Sequence, residues 1–161
     1  MLAIIATANR AQAWAQDVAA PDRLNLSEPC DEGGTSDQSK CLRAQGQKAD
    51  RWLKNIFDSY RLEIADLPDR VKKDGLEIYD GYDPVGNLVR SQTQFEAYRK
   101  TMEAFAYDAA YPGSLRQIEA PMVYFNLTVD RAKELLQSCG YDESLPDIVD
   151  LTSVAWCQHI E

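Results

Sequence analysis

The chain predicts an all-α fold, a small bundle of about three principal helices stapled by two disulfides, with no significant sheet. Three observations lead there: apolar side chains recur at helical spacing across three long segments, Pro and Gly fall at the boundaries between them, and the cysteines form an even set of four. A length of 161 residues suits one hydrophobic core. With 45% hydrophobic and 27% charged residues, the composition is that of a folding chain. The expected organisation is a signal-peptide remnant over residues 1–15, an extended lead-in over 16–35 and a single helical domain over 36–161.

The remnant is read from the apolar run Leu2 to Ala8 and from Ala13-Trp14-Ala15 before Gln16, an A-x-A cleavage pattern. Arg10 interrupts the run and no basic stretch precedes it, so a frayed helical arm is the alternative reading. No cysteine adjoins the cleavage pattern, so no lipid anchor is expected. Nothing further along approaches the roughly 18 apolar residues of a membrane span. Residues 16–35 are rich in Pro, Asp, Ser and Gly and end in Gly33-Gly34-Thr35.

Ser36 or Asp37 is expected to cap a first helix in which Cys41, Ala49, Leu53, Ile56, Tyr60 and Ile64 share a face, running about eight turns to Pro68. Residues 69–83 read as a loop with a short helical turn at its start. Asp83-Pro84 is a cap followed by proline at the first helical position, where a missing N–H costs nothing. The helix it opens places Leu88, Gln92, Phe95, Tyr98, Arg99, Met102, Phe105 and Ala109 on one face, and Pro112-Gly113 breaks it. Ser114 is expected to cap a third helix marked by Leu115, Ile118, Met122, Phe125, Val129, Ala132 and Leu136. Pro121 should kink or restart it, and Cys139-Gly140 should end it. The remainder, with Pro146 and the apolar cluster Val154 to Trp156, is expected to pack as a short helical turn pinned by Cys157. Leu53, Ile56, Phe95, Met102, Phe125 and Val129 are the predicted core.

Cys30, Cys41, Cys139 and Cys157 include no CxxC and no neighbouring His, so zinc spacing is absent. Four cysteines allow three pairings. The sequence-local one, Cys30 with Cys41 and Cys139 with Cys157, closes short loops at both ends of the fold and belongs to an oxidising compartment, periplasmic or secreted. Four buried free thiols in the cytosol are the competing reading.

Against 17 basic side chains stand 26 acidic ones, a net charge of -9 that disfavours nucleic acid and favours a cationic partner. Asp74, Glu77, Asp80 and Asp83 crowd one stretch with no basic residue among them, interleaved with Ile78, Tyr79 and Tyr82. Asp142, Glu143, Asp147, Asp150 and Glu161 occupy a C-terminal segment free of Lys and Arg. Burying the first cluster within the fold would leave charges unpaired at considerable cost. Asp74, Glu77, Tyr79, Asp80, Tyr82 and Asp83 are therefore the predicted partner-binding residues. The opposing reading has the aromatics fold back over the junction of the first two helices.

Signs of catalysis are few. His159 is the one histidine, and no GxSxG, P-loop or dinucleotide-binding glycine pattern occurs. Residues 80–87 (DGYDPVGN) have Tyr82 and Pro84 where a calcium loop needs oxygen ligands. No catalytic residue, metal or cofactor is expected, and the chain reads as a binding protein.

The residues so far quoted resemble the LprI-type lysozyme-inhibitor family of small exported bacterial proteins. Cys30 and Cys41 have the spacing of the cysteine pair that opens its pattern, and Ala49-Asp50, Leu53 and Phe57 follow where it expects them, with Lys54 in place of Asn. Its second segment, Q-x-x-W-x-x-Y-R, is met by Gln92, Phe95, Tyr98 and Arg99, with Phe for Trp. Its third is met by Gly113-Ser114 and by Leu127, Thr128, Arg131, Ala132, Glu134 and Leu135. Where the family commonly carries a further cysteine pair, this chain has Glu103 and the Tyr124-Phe125 neighbourhood, which marks a divergent member. Gln92, Phe95, Tyr98, Arg99 and Arg131 are expected to serve as scaffold, tying helices together.

The resemblance implies an inhibitor that binds a basic cell-wall hydrolase and occludes its cleft. A periplasmic immunity protein neutralising a cognate secreted toxin is the alternative within the binding class. A structural or envelope-stress protein of the same fold, or an uncharacterised hydrolase, would belong to other classes.

Overall fold

A computed structural model describes residues 22–27, 30–141, 144–152 and Cys157. The signal-like segment, Asp142, Glu143, the cluster Val154 to Trp156, His159 and Glu161 lie outside them. The described residues form a helical bundle with one small strand pair. The elements run β1 (Arg23–Asn25), α1 (Thr35–Ala65), α2 (Leu67–Lys73), α3 (Pro84–Ala109), α4 (Arg116–Ser138) and β2 (Ile148–Asp150).

In α1, Ala49, Trp52, Leu53 and Ile56 follow one another at i, i+3, i+4 and i+7, and all four are buried. The helix begins at Gly34, whose carbonyl accepts the N–H groups of Asp37 and Gln38, with no side-chain cap. The expected caps, Ser36 and Asp37, instead sit inside the first turn, where the Asp37 carboxylate still faces the positive end of the helix dipole. Pro68 has no N–H with which to continue the ladder to Ile64. The Ile64 carbonyl takes the Asp66 N–H instead, and the chain restarts as α2.

Helix α4 is the centre of the bundle and packs against both α1 and α3. Phe125, Thr128, Val129, Ala132, Leu135 and Leu136 are buried along it. It runs unbroken through Pro121, so the expected restart does not occur. Pro121 lies early in the helix, and its missing N–H removes only the bond to Gln117. Ser114 does not cap it either: the N-terminal boundary is Leu115, again without a side-chain bond.

Helix α3 buries only Leu88 fully. Phe95 and Met102 are half-buried, while Tyr98, Phe105 and Ala109 stand exposed, so the predicted apolar face is buried on one flank only. With Leu88 as reference, Gln92, Phe95, Arg99 and Met102 cluster around its direction, and Tyr98, Phe105 and Ala109 are rotated most of a quarter turn away.

Strands β1 and β2 pair antiparallel, Leu24 opposite Val149. Both side chains are buried in the main core with Leu151, so the lead-in contributes to that core. Lys48 donates to the Arg23 carbonyl at 2.8 Å, and Arg51 pairs with Asp22 at 2.6 Å, which fastens β1 along α1. The C-terminal segment was expected to form a helical turn. Its described part instead contributes a strand, because its partner lies more than a hundred residues away and local patterning does not register such a pairing. The disulfides join Cys30 to Cys41 and Cys139 to Cys157.

Candidate functional site

Two groups of side chains merit a functional reading: a polar stack within the bundle and the loop between α2 and α3. The stack is built where α1, α3 and α4 meet. The Arg99 guanidinium lies between two rings, its central carbon 5.4 Å from the Phe95 centroid and 4.2 Å from that of Tyr124. One of its nitrogens donates to Asp50 Oδ1 at 2.6 Å and to Thr128 Oγ1 at 2.7 Å. The Tyr124 hydroxyl donates to the other Asp50 oxygen, and Thr128 donates to the Tyr124 carbonyl. Arg131 also lies over Phe95, at 5.8 Å, and donates to Ser91, Gln92 and Glu134. Gly46 admits the Tyr124 ring beside α1: a Cβ there would meet the ring at 3.2 Å.

This geometry connects helices. Burial, and then the bond to Asp50, push the Tyr124 phenol well above its ordinary range, so it holds its proton throughout physiological pH. Of the five predicted motif residues, Gln92, Phe95, Arg99 and Arg131 meet here. Tyr98 does not, being turned outward. Sequence reading placed Asp50 in a motif but missed it as the anchor of the stack; the available signal was a carboxylate bordering the buried stripe of α1.

The loop is held at both ends. Helix α2 closes with Gly75 at φ +73°, the Gly75 N–H donating to Lys72 and the Leu76 N–H to Val71, the paired bonds of a Schellman cap. At the other end Asp83 Oδ1 accepts the Gly86 N–H at 2.8 Å, and Arg90 lies 3.7 Å from the second oxygen. Gly86 leaves room for the carboxylate as it stands: a Cβ there would fall 1.9 Å from it, so the Asp83 side chain would have to shift. Between these ends, Tyr82 N–H donates to the Tyr79 carbonyl across a turn with Gly81 at φ +86°. The Tyr79 and Tyr82 rings meet edge to face at 5.3 Å.

Asp74, Glu77, Tyr79 and Asp80 are exposed, and Tyr82 is half-buried beside the half-buried Ile78. Asp83 is committed to capping α3, so the freely presented carboxylates are Asp74, Glu77 and Asp80. Among the described residues no group of His, Cys, Asp or Glu is arranged to hold a metal.

Residues 30–135, about two-thirds of the chain, match the family model described as lysozyme inhibitor LprI. The chain belongs to the LprI lysozyme-inhibitor family. No curated protein and no solved structure matches it. The LprI match begins at Cys30 and ends within α4, so it takes in the first disulfide, the polar stack and the loop. The strand pair and the Cys139–Cys157 disulfide fall outside it.

Within this LprI-family bundle, Arg99→Ala is expected to cost about 2–3 kcal/mol, the scale of hydrogen bonds to a charged group together with lost packing. Arg99→Lys should restore only part of this, because an ammonium can donate to Asp50 and Thr128 but lacks the plane that stacks against the Phe95 and Tyr124 rings. Urea unfolding of the two variants measures both effects. Full recovery by lysine would show that charge alone sustains the stack.

Proposed function

We propose that this protein is an exported inhibitor that occludes the cleft of a basic, lysozyme-type cell-wall hydrolase with the loop from Asp74 to Asp83. Its family supports a hydrolase as partner. The observation that carries the choice of surface is the exposure of Leu76 (62%) and Tyr79 (67%) on a loop that also presents Asp74, Glu77 and Asp80. Aromatic side chains lose little rotamer freedom on binding and make the strongest interface anchors. The carboxylates and the net charge of -9 hasten encounter with a cation.

The capped ends matter because a loop already fixed loses less entropy on docking. The mechanism is steric: no bond is made or broken, and the hydrolase is blocked while the loop stays in place. Action in the periplasm or outside the cell fits two disulfides, which persist in oxidising surroundings.

The test replaces Tyr79 and Tyr82 together by Ala and follows inhibition of a basic lysozyme alongside thermal unfolding. The inhibition constant should rise about 30-fold or more, the equivalent of about 2 kcal/mol for one anchoring side chain. The melting temperature should hold. A lowered melting temperature with undiminished inhibition by the folded fraction would make the loop structural and end this reading.

A further inference from the structure

The end of the bundle opposite the loop carries a second unpartnered surface. Helix α3 has 26 residues, so its termini stand about 39 Å apart. The acidic loop precedes its N-terminus, and the tip between α3 and α4 follows its C-terminus. From the middle of α3 towards that tip, Tyr98 and Phe105 are 53% and 64% exposed and, with Ala109, recur on one face at i, i+7 and i+11. Beside them Ala106, Ala109, Ala110, Leu115 and Glu119 line a shallow groove of about 270 Å³. Leu115, on its α4 side, is 58% exposed.

A protruding aromatic thus stands one helical turn from a groove floored by alanine methyls, on the same helix. That juxtaposition is self-complementary: a two-fold axis would carry Phe105 of each copy into the groove of the other, as an isologous contact requires. Charge favours the same occupant. With Arg99 paired to Asp50 inside the bundle, the charges left to this surface over residues 98–122 are Lys100 and Arg116 against Glu103, Asp108 and Glu119, a net of -1 in a chain whose total is -9. Two acidic copies meet with little repulsion here, whereas a cationic partner gains little from this surface and much from the loop.

Tyr98, Phe105 and Leu115 expose on the order of 300 Å² together, at roughly 200 Å² for a whole aromatic side chain. That supplies the apolar centre of the ~800 Å² that each partner of a specific complex buries. We propose that the α3–α4 tip is a dimerisation surface on which a second copy of this chain docks, Phe105 into the alanine groove. Both acidic loops then point away from the axis, free for one target each. Dimerisation does not depend on what the loop binds.

Sedimentation equilibrium of the oxidised protein, from about 1 to 500 μM, reads the association directly; an interface at the small end of the size range calls for micromolar dissociation. Twice the chain mass is expected at the upper concentrations. Phe105→Asp, which removes the knob, and Ala109→Arg, which fills the groove while keeping it, should each weaken association about 100-fold or more. Circular dichroism and melting should be unchanged, since both side chains are exposed. Tyr79→Ala should dimerise normally.

A single-chain mass at every concentration overturns the proposal, as does a dimer that survives both folded variants. If the native protein stays monomeric while Phe105→Asp weakens inhibition of a lysozyme, the tip faces the hydrolase and a second copy is the wrong occupant.

Discussion

Trp52→Ala should lower the free energy of unfolding by about 3–5 kcal/mol, the usual result of truncating a fully buried aromatic. Trp52 is 0% exposed and belongs to one core cluster with Leu53 and Ile56 of α1, Phe125 and Val129 of α4, and Leu24 of β1. The loss has two sources: the transfer of the indole out of water is forfeited, and the cavity left behind cannot collapse where helices and strand converge. A domain of this size holds about 5–15 kcal/mol in all, so the variant would keep only a fraction of its folded population at elevated temperature. Urea unfolding monitored by far-ultraviolet circular dichroism measures the shift at fixed slope. A loss below about 1 kcal/mol would mean that the core repacks around the gap. Trp52→Phe, which keeps an aromatic at the site, should cost distinctly less.

The same residue shows how far the sequence could be read. The stripe of Ala49, Leu53, Ile56 and Ile64 is visible at helical spacing and is buried, yet Trp52, which fits it equally well, was not among the residues first assigned to it. Helix existence, the Asp83-Pro84 start, the Gly140 stop and the local disulfide pairing follow from short-range chemistry, and each is present in the fold. What local patterning missed is set at a distance. Whether Tyr98 and Phe105 face a neighbour depends on where α1 lies beside α3, and the meeting of Leu24 with Val149 depends on the whole bundle between them. The six loop residues were legible as a cluster. The commitment of Asp83 to the Gly86 N–H and to Arg90 emerged only when the helix start was placed in three dimensions.

Replacing all four cysteines by serine, or reducing the protein, should cost about 6 kcal/mol, comparable to the entire stability of many small domains. The chain-entropy account gives roughly 3 kcal/mol for each closure, the loops being of similar length, with sequence separations of 11 and 18. The two should nevertheless differ in what they release. Cys30–Cys41 ties a lead-in to a helix that is buried in its own right. Cys139–Cys157 closes the segment that carries β2, whose hold on the bundle rests on Val149, Leu151 and the pairing with β1.

Amide exchange separates these effects. Two N–H groups report on the strand pair, Leu26 donating to the Asp147 carbonyl at 2.7 Å and Leu151 to the Asp22 carbonyl at 2.9 Å. In Cys139→Ser/Cys157→Ser, both should lose protection beyond the fall in global stability, because the ribbon can then open without unfolding α1 and α4. In Cys30→Ser/Cys41→Ser, they should fall only with the global value. Equal protection of both amides in the two variants, once global stability is subtracted, would show that the burial of Leu24 and Val149 holds the ribbon without the covalent staple.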